Sequence, residues 1–377
     1  MNLTNDERRW AQSTSEKINA KYAQVRERSA EKIPYIARDG VHDNKLLDDP
    51  NWWTNGFWAG LMWQQYKATG EERYAEVARF TENALDKCLE DYLGLHHDVG
   101  FMWLLSAVAD YRLTGNERSK VRGLHAASLL AGRFNPAGNY GFIRAWNGDW
   151  GSQNTGWAII DCMMNIPLLH WASEETGDPR FRHIAERHAA TVMEHFIRED
   201  GSARHIVEFD PETGAYVDDF GGQGYEKGSA WTRGQSWALY GFVMSYKHTQ
   251  RQEYLDTARK VGEFFLQNIP EDGLIPIDFR QPAEPRYMDD IAGAVAACAY
   301  IELAEICGEQ RYMDVALRLL HALDERHIDW DPARDGLLTH CSAAYHNDSD
   351  RHVNMVYGDY FFVEAVRKLC GDGVWLW

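Results

Sequence analysis

Asp161 sits in TGWAIIDCMMNIPLLHWASEETG, where Trp157, Met164, Leu168 and Trp171 share its face at helical spacing. An acid in such an apolar stripe is costly to ionise, so its pKa rises. A carboxyl raised in this way can donate a proton at neutral pH. A buried acid held by a structural arginine or a backbone donor fits the same stripe equally well. Pro167, inside the stretch, predicts a kink or helix break. Asp98 lies in GLHHDVGFMWLLSA, where a loop runs into a helix whose buried face includes Phe101, Leu104 and Leu105. The simpler reading there is an N-cap. His96 and His97 before it suggest a metal, but adjacent side chains rarely converge on one ion. The chain also lacks HExxH and a second His cluster, so no metal is expected. The segment GGQGYEKGSAWTRGQSWALYGF is dense in glycine, tryptophan and planar polar groups. Its glycines let backbone approach a ligand. Trp231 and Trp237 could stack on sugar rings, and Arg233 could grip a carboxylate with its fork. A Gly-rich loop leading into a core helix, with Trp237 as core, explains the same letters.

The elements that must hold these residues are marked by a recurring phrase. It reads TGEERYAEVA from Thr69, TGNERSKVRG from Thr114, TGDPRFRHIA from Thr176 and CGEQRYMDVA from Cys307, with a degraded copy, TQRQEYLDTA, from Thr249. The glycine closes one helix in a left-handed cap, acidic residues open the next, and Tyr or Phe begins its buried face. Each phrase therefore predicts the turn of a helical hairpin, with long loops at the other end. Apolar stripes at Phe101, Leu104, Leu105 and Val108, and at Ala294, Cys298, Ile301 and Ala304, agree. Only Ser202–Phe209, before DPETG, and Gly273–Phe279 alternate as strands. No linker interrupts the chain, so residues 1–377 are expected to form a single domain.

The net charge of −18 argues against nucleic acid as a partner. The aromatic load of 15 Trp, 18 Tyr and 15 Phe suits sugar stacking, although most such rings fill cores. The first residues carry charges throughout and read as no secretory signal, and no segment has the length of a membrane span. Six scattered cysteines without CxxC read as reduced thiols, and a cytoplasmic protein is expected.

WTNGFWAG (Trp53–Gly60), HHDVGF (His96–Phe101), IIDCMMNIPLLHWA (Ile159–Ala172), DPETG, WTRGQSWALYGF (Trp231–Phe242) and YGDYFFVEAV (Tyr357–Val366) occur in that order. In these motifs the chain resembles the unsaturated glucuronyl hydrolases over nearly its whole length. The resemblance implies an all-α (α/α)6 toroid of six helical hairpins, with short β-hairpins in loops at the active-site end. It implies Asp161 as general acid and base and Asp98 as a second essential carboxylate. It also implies that Trp53, His97, Trp146 and His205 line the sugar site, together with Gln223, Trp231, Arg233 and Trp237. No cofactor is implied. The substrate would be a small unsaturated uronyl oligosaccharide made by a polysaccharide lyase. The chain departs from the family at Tyr357, where a Trp is usual, and at MDDIAGA (Met288–Ala294), which lacks the family's serines. The CSAAYHNDSDRH segment (Cys341–His352) falls where the family varies with the second sugar.

The implied reaction is hydration of a vinyl ether, which one carboxyl group can run as acid and then base. An ordinary glycosidase needs two carboxylates flanking the anomeric bond. The same chemistry on pectin fragments, by an unsaturated rhamnogalacturonyl hydrolase, is the nearest alternative. A sugar epimerase, which would need a His pair at the reacting carbon, and a non-catalytic sugar-binding module on the same ring are the others.

Overall fold

All five predicted hairpin turns are present in the computed structural model, which describes residues 3–147 and 153–377. Helix α1 spans Asn5–Arg28, α2 Phe57–Thr69 and α3 Glu72–Ala84. Helix α4 covers residues 99–114 and carries a π-helical turn at Leu104–Val108; α5 is Glu117–Gly132. Then come α6 (Pro167–Thr176), α7 (Pro179–His195), α8 (Thr232–Thr249) and α9 (Gln252–Asn268). The last three are α10 (Asp290–Cys307), α11 (Gln310–Arg326) and α12 (Val356–Cys370). Gly70, Gly115, Gly177 and Gly308 take left-handed φ of 68–75° and donate their N–H groups back into the closing helix. That is the cap expected of a glycine just past a helix. Gln250 takes the same conformation at φ 58°, which is why the degraded phrase still makes its turn.

The inner helices pack in a closed circle: α2 on α4, α4 on α6, α6 on α8, α8 on α10, α10 on α12 and α12 back on α2. Each carries one outer helix, and the sixth outer helix is α1, which packs on α12. The sixth pair thus joins the two ends of the chain and has no turn phrase of its own. The fold is an (α/α)6 barrel. Inner helices such as α8 and α10 are buried on nearly every face, whereas outer α9 and α11 bury a single stripe.

Small sheets sit in the loops. Strands β1 (Ile36–Arg38) and β2 (Val41–His42) join β8 (Asn354–Met355), and β3 (Phe134–Asn135) pairs with β4 (Phe142–Ile143). Strand β5 (Trp157–Ile159) pairs with β6 (Ile206–Phe209), which turns through DPETG into β7 (Tyr216–Phe220). The predicted strand at Gly273–Phe279 is not formed: the segment makes only the isolated bridges Pro276–Met288 and Trp231–Asp278, with a bend at Ile277 between them. The continuous helical face from Trp157 to Trp171 is also corrected. That stretch is β5, then a 3₁₀ turn at Ile160–Met164, then α6, with Pro167 in its first turn. Proline suits that position because the first N–H groups of a helix have no intrahelical partner.

Candidate active site

The three-stranded sheet brings Asp161 to His205. Ile159 pairs with Ile206, and the Ile160 amide donates to the His205 carbonyl at 3.0 Å. Asp161 follows β5 and His205 precedes β6, so the two side chains meet, Asp161 Oδ2 lying 3.7 Å from His205 Nε2. That distance is too long for a hydrogen bond, and both atoms are buried without another partner among the described residues. The Gln223 amide donates to His205 Nδ1 at 3.0 Å. The Gly221 carbonyl lies 3.2 Å from the same Nδ1, so backbone groups hold this edge of the ring and turn Nε2 toward Asp161. Burial holds the His205 pKa down at about 3, so the ring is neutral near pH 7. Gly222, at φ 58°, is required here: a Cβ would lie 2.0 Å from His205 Nδ1. Trp231 covers the other side of the imidazole, ring centroids 4.2 Å apart.

Burial pushes the Asp161 carboxyl from its ordinary 3.8 up to about 7, and the charge of Arg233 restrains the rise. Asp161 retains 8% of its surface, enough for one edge to meet a ligand.

Asp98 enters from the neighbouring hairpin. It precedes α4 in the N-cap position but makes no capping hydrogen bond, so the simple cap reading is corrected. Its side chain turns inward instead. Asn165 Nδ2 donates to Asp98 Oδ1 at 3.0 Å and to the Asp161 carbonyl at 3.1 Å, while Asn165 Oδ1 accepts from the Phe101 amide at 2.8 Å. Asn165 therefore locks the two aspartate-bearing segments together. Gly100 permits the approach, since a Cβ there would stand 2.4 Å from Asn165 Cα. Burial, and then the charge of Asp161, push the Asp98 carboxyl well above its usual range. His97 Nε2 stands 3.2 Å from Asp98 Oδ1. The expectation that His96, His97 and Asp98 would not converge is also corrected, because a turn at residues 97–98 brings one ligand atom of each within 4.8 Å of the others.

The remaining expected residues divide. Trp53 is half-buried against Phe101 and Tyr357, with centroids at 5.4 and 4.9 Å. Trp146, also half-buried, stands edge-on to His97 at 5.8 Å. Gln223 borders His205 and donates from Nε2 to the Ala343 carbonyl at 2.7 Å, which ties the 341–352 segment to the site. Trp237 does not line it. That ring has 0% exposure and packs between Phe101 and Phe361, because its position in α8 faces the barrel interior. Arg233 is 1% exposed, and its fork is spent inside the protein. It pairs with Asp289 and donates to the Ser342 and Ala343 carbonyls at 2.6 Å. It also lies over Trp231 at 4.7 Å and Tyr357 at 5.6 Å. The fork that was expected to grip a carboxylate is therefore occupied by Asp289 and two backbone carbonyls.

Sequence reasoning missed Asn165, one turn beyond Asp161, and Asp289, the partner of Arg233. It also missed Asp278, which accepts from Tyr225 N, Ser229 Oγ and Ala230 N and so pins the Gly-rich loop. The acids at Asp289 and Asp278 were visible as letters, but their partners are distant in the chain.

Replacing Arg233 tests this division. Arg233→Ala leaves Asp289 buried without its cation, a loss of about 3–5 kcal/mol, so Tm falls sharply. Because the Arg233 charge lowers the Asp161 pKa, its loss moves the alkaline limb of the pH–rate profile upward. Arg233→Lys keeps the charge but not the fork, and is expected to lie between. Thermal melts and a pH–rate profile read both effects.

Comparison with known proteins places the arrangement. Residues 25–261 match Glycosyl Hydrolase Family 88. The chain is 35% identical over 347 residues to the unsaturated glucuronyl hydrolase of Bacillus sp. (strain GL1), covering 90% of this chain and 91% of the relative. The crystal structure of the unsaturated glucuronyl hydrolase from Bacillus sp. GL1, responsible for the degradation of glycosaminoglycan, superposes with a TM-score of 0.88 at 33% identity, over 96% of each chain. An Asp-to-Asn mutant of the Streptococcus agalactiae unsaturated glucuronyl hydrolase, complexed with dGlcA-GalNAc6S, superposes with a TM-score of 0.82 at 26% identity, over 100% of this chain and 94% of that one. With a family match across most of its length and this degree of identity, the chain belongs to glycosyl hydrolase family 88.

Proposed function

We propose that this glycoside hydrolase removes the terminal 4,5-unsaturated uronic acid from lyase-generated oligosaccharides by hydrating the C4=C5 bond, with Asp161 as acid and base. The observation that carries this reading is a single carboxyl, lifted to about 7, with one unpartnered oxygen facing His205. Protonated Asp161 gives its proton to C4 of the enol ether, and positive charge develops at C5 and the ring oxygen. The carboxylate left behind accepts a proton from the water that attacks C5. The resulting hemiketal opens and the glycosidic bond breaks. His205, a neutral imidazole beside Asp161, orients the carboxylate; Asp98 holds the sugar hydroxyls; Trp53, Trp146 and Trp231 frame its faces. Residues 1–377 act as one catalytic unit. The six unpaired cysteines support a reducing, cytoplasmic setting.

The test is to mix the protein with disaccharides from glycosaminoglycan and pectin lyases and follow the ultraviolet absorbance of the conjugated double bond. Loss of absorbance with the uronyl substrates supports the reading, and no change with any of them refutes it.

The Asp161 pKa sets a pH dependence. Donation needs the protonated form, so kcat/KM is expected to hold below about pH 7 and to fall about tenfold per unit well above it. A profile flat to pH 9 would remove Asp161 as the donor.

A further inference from the structure

Arg133 caps the end of α5, and its side chain reaches across to the segment that carries Trp146. Nε donates to the Arg144 carbonyl at 3.0 Å, Nη2 to the Ala145 carbonyl at 2.6 Å and Nη1 to Asn147 Oδ1 at 2.6 Å. The Arg144 amide donates back to the Arg133 carbonyl at 3.1 Å. These four bonds hold the chain on both sides of Trp146. The grip continues into the loop that carries His97 and Asp98. Asn147 Nδ2 donates to the Leu93 and Leu95 carbonyls at 2.9 and 2.8 Å, and the His97 amide donates to the Ala145 carbonyl at 3.4 Å. The Trp146 ring meets His97 edge-on, centroids 5.8 Å apart.

We propose that Arg133 is a positioning residue, which fixes Trp146 against His97 in the sugar site. The inference rests on the proposed function above, in which Trp146 frames the sugar. Two simpler accounts of Arg133 leave its fork unexplained. A helix C-terminus favours a cation, but the Leu130 and Ala131 carbonyls of α5 accept from the Arg133 backbone N–H and not from its side chain. A salt bridge is not the reason either, since all three acceptors of the fork are neutral. Burial, and then the charge of Arg144, lower the Arg133 pKa to about 10, so the cation is held there at a cost. What the guanidinium supplies is a rigid plane of donors that can meet three acceptors of one segment at once. Lysine has the charge without that plane.

The test is steady-state kinetics on a lyase-generated disaccharide, with single and double variants of the full chain. Arg133→Ala is expected to raise KM about tenfold and to leave kcat within about twofold, the pattern of lost uniform binding. Residues that act through one another are not additive. In a Trp146→Ala background, Arg133→Ala should therefore raise KM by less than about twofold more. Arg133→Lys, which serves if Arg133→Ala folds poorly, should give a smaller rise that also vanishes in that background. Amide exchange needs no substrate, and at residues 144–147 it is expected to quicken in Arg133→Ala. A wild-type KM in Arg133→Ala, a rise undiminished by Trp146→Ala, or unchanged exchange at 144–147 overturns the clamp alone. A wild-type KM in Trp146→Ala overturns the proposal from the other side, by removing Trp146 from the sugar site.

Discussion

Asp161→Asn is expected to abolish measurable turnover while substrate still binds. The amide keeps the shape of the carboxyl and cannot give up a proton to C4. Loss of one acid–base group costs about 10²–10⁴-fold, and a group used twice in one cycle stands at the upper end. The same change is expected to stabilise the protein. The folded-state pKa of Asp161, about 7, exceeds the ordinary 3.8 of an accessible Asp, so the native state holds the proton more tightly than the unfolded chain. For a carboxyl raised in this way, stability is lost as pH climbs from about 3.8 to about 7. The Tm advantage of Asp161→Asn over wild type therefore grows through that window and levels off above it. An inactive variant with no such advantage would mean that the carboxyl is not held up in the native state.

Asp98→Asn is expected to cost about 10²–10³-fold in kcat/KM, the scale of losing one preorganised polar group at the developing charge. Tm should hold or rise, because Asp98 makes no cap and its carboxyl is itself pushed upward by burial. Near-normal turnover with a lowered Tm would return Asp98 to a structural role.

The hairpins were legible because their signal is local: a glycine that can take left-handed φ, followed by acids and an aromatic, sits within ten residues of sequence. The sixth pair was not, since α1 and α12 meet only when the ring closes. Asp161 was found for a reason that needed amending. Its apolar neighbours do bury it, but they come from a strand, a 3₁₀ turn and a helix, whose spacing happened to match one helical face. Pro167 was the visible sign of that break. Arg233 and Trp237 have residue types that suit a ligand site, and the family resemblance implies them there, but the letters fit a core helix equally well. Their burial is decided by which face of α8 looks inward, and by Asp289, which lies far along the chain.

The order of bond breaking tests the central claim most directly. On one sample of a lyase-generated disaccharide in heavy water, the double-bond absorbance and the release of the second sugar are followed together by ultraviolet and NMR spectroscopy. Hydration driven by Asp161 predicts that absorbance falls no later than the sugar is released, with solvent deuterium at C4 of the uronic product. Release that runs ahead of the absorbance, with free uronic sugar still carrying its C4=C5 bond, would contradict it.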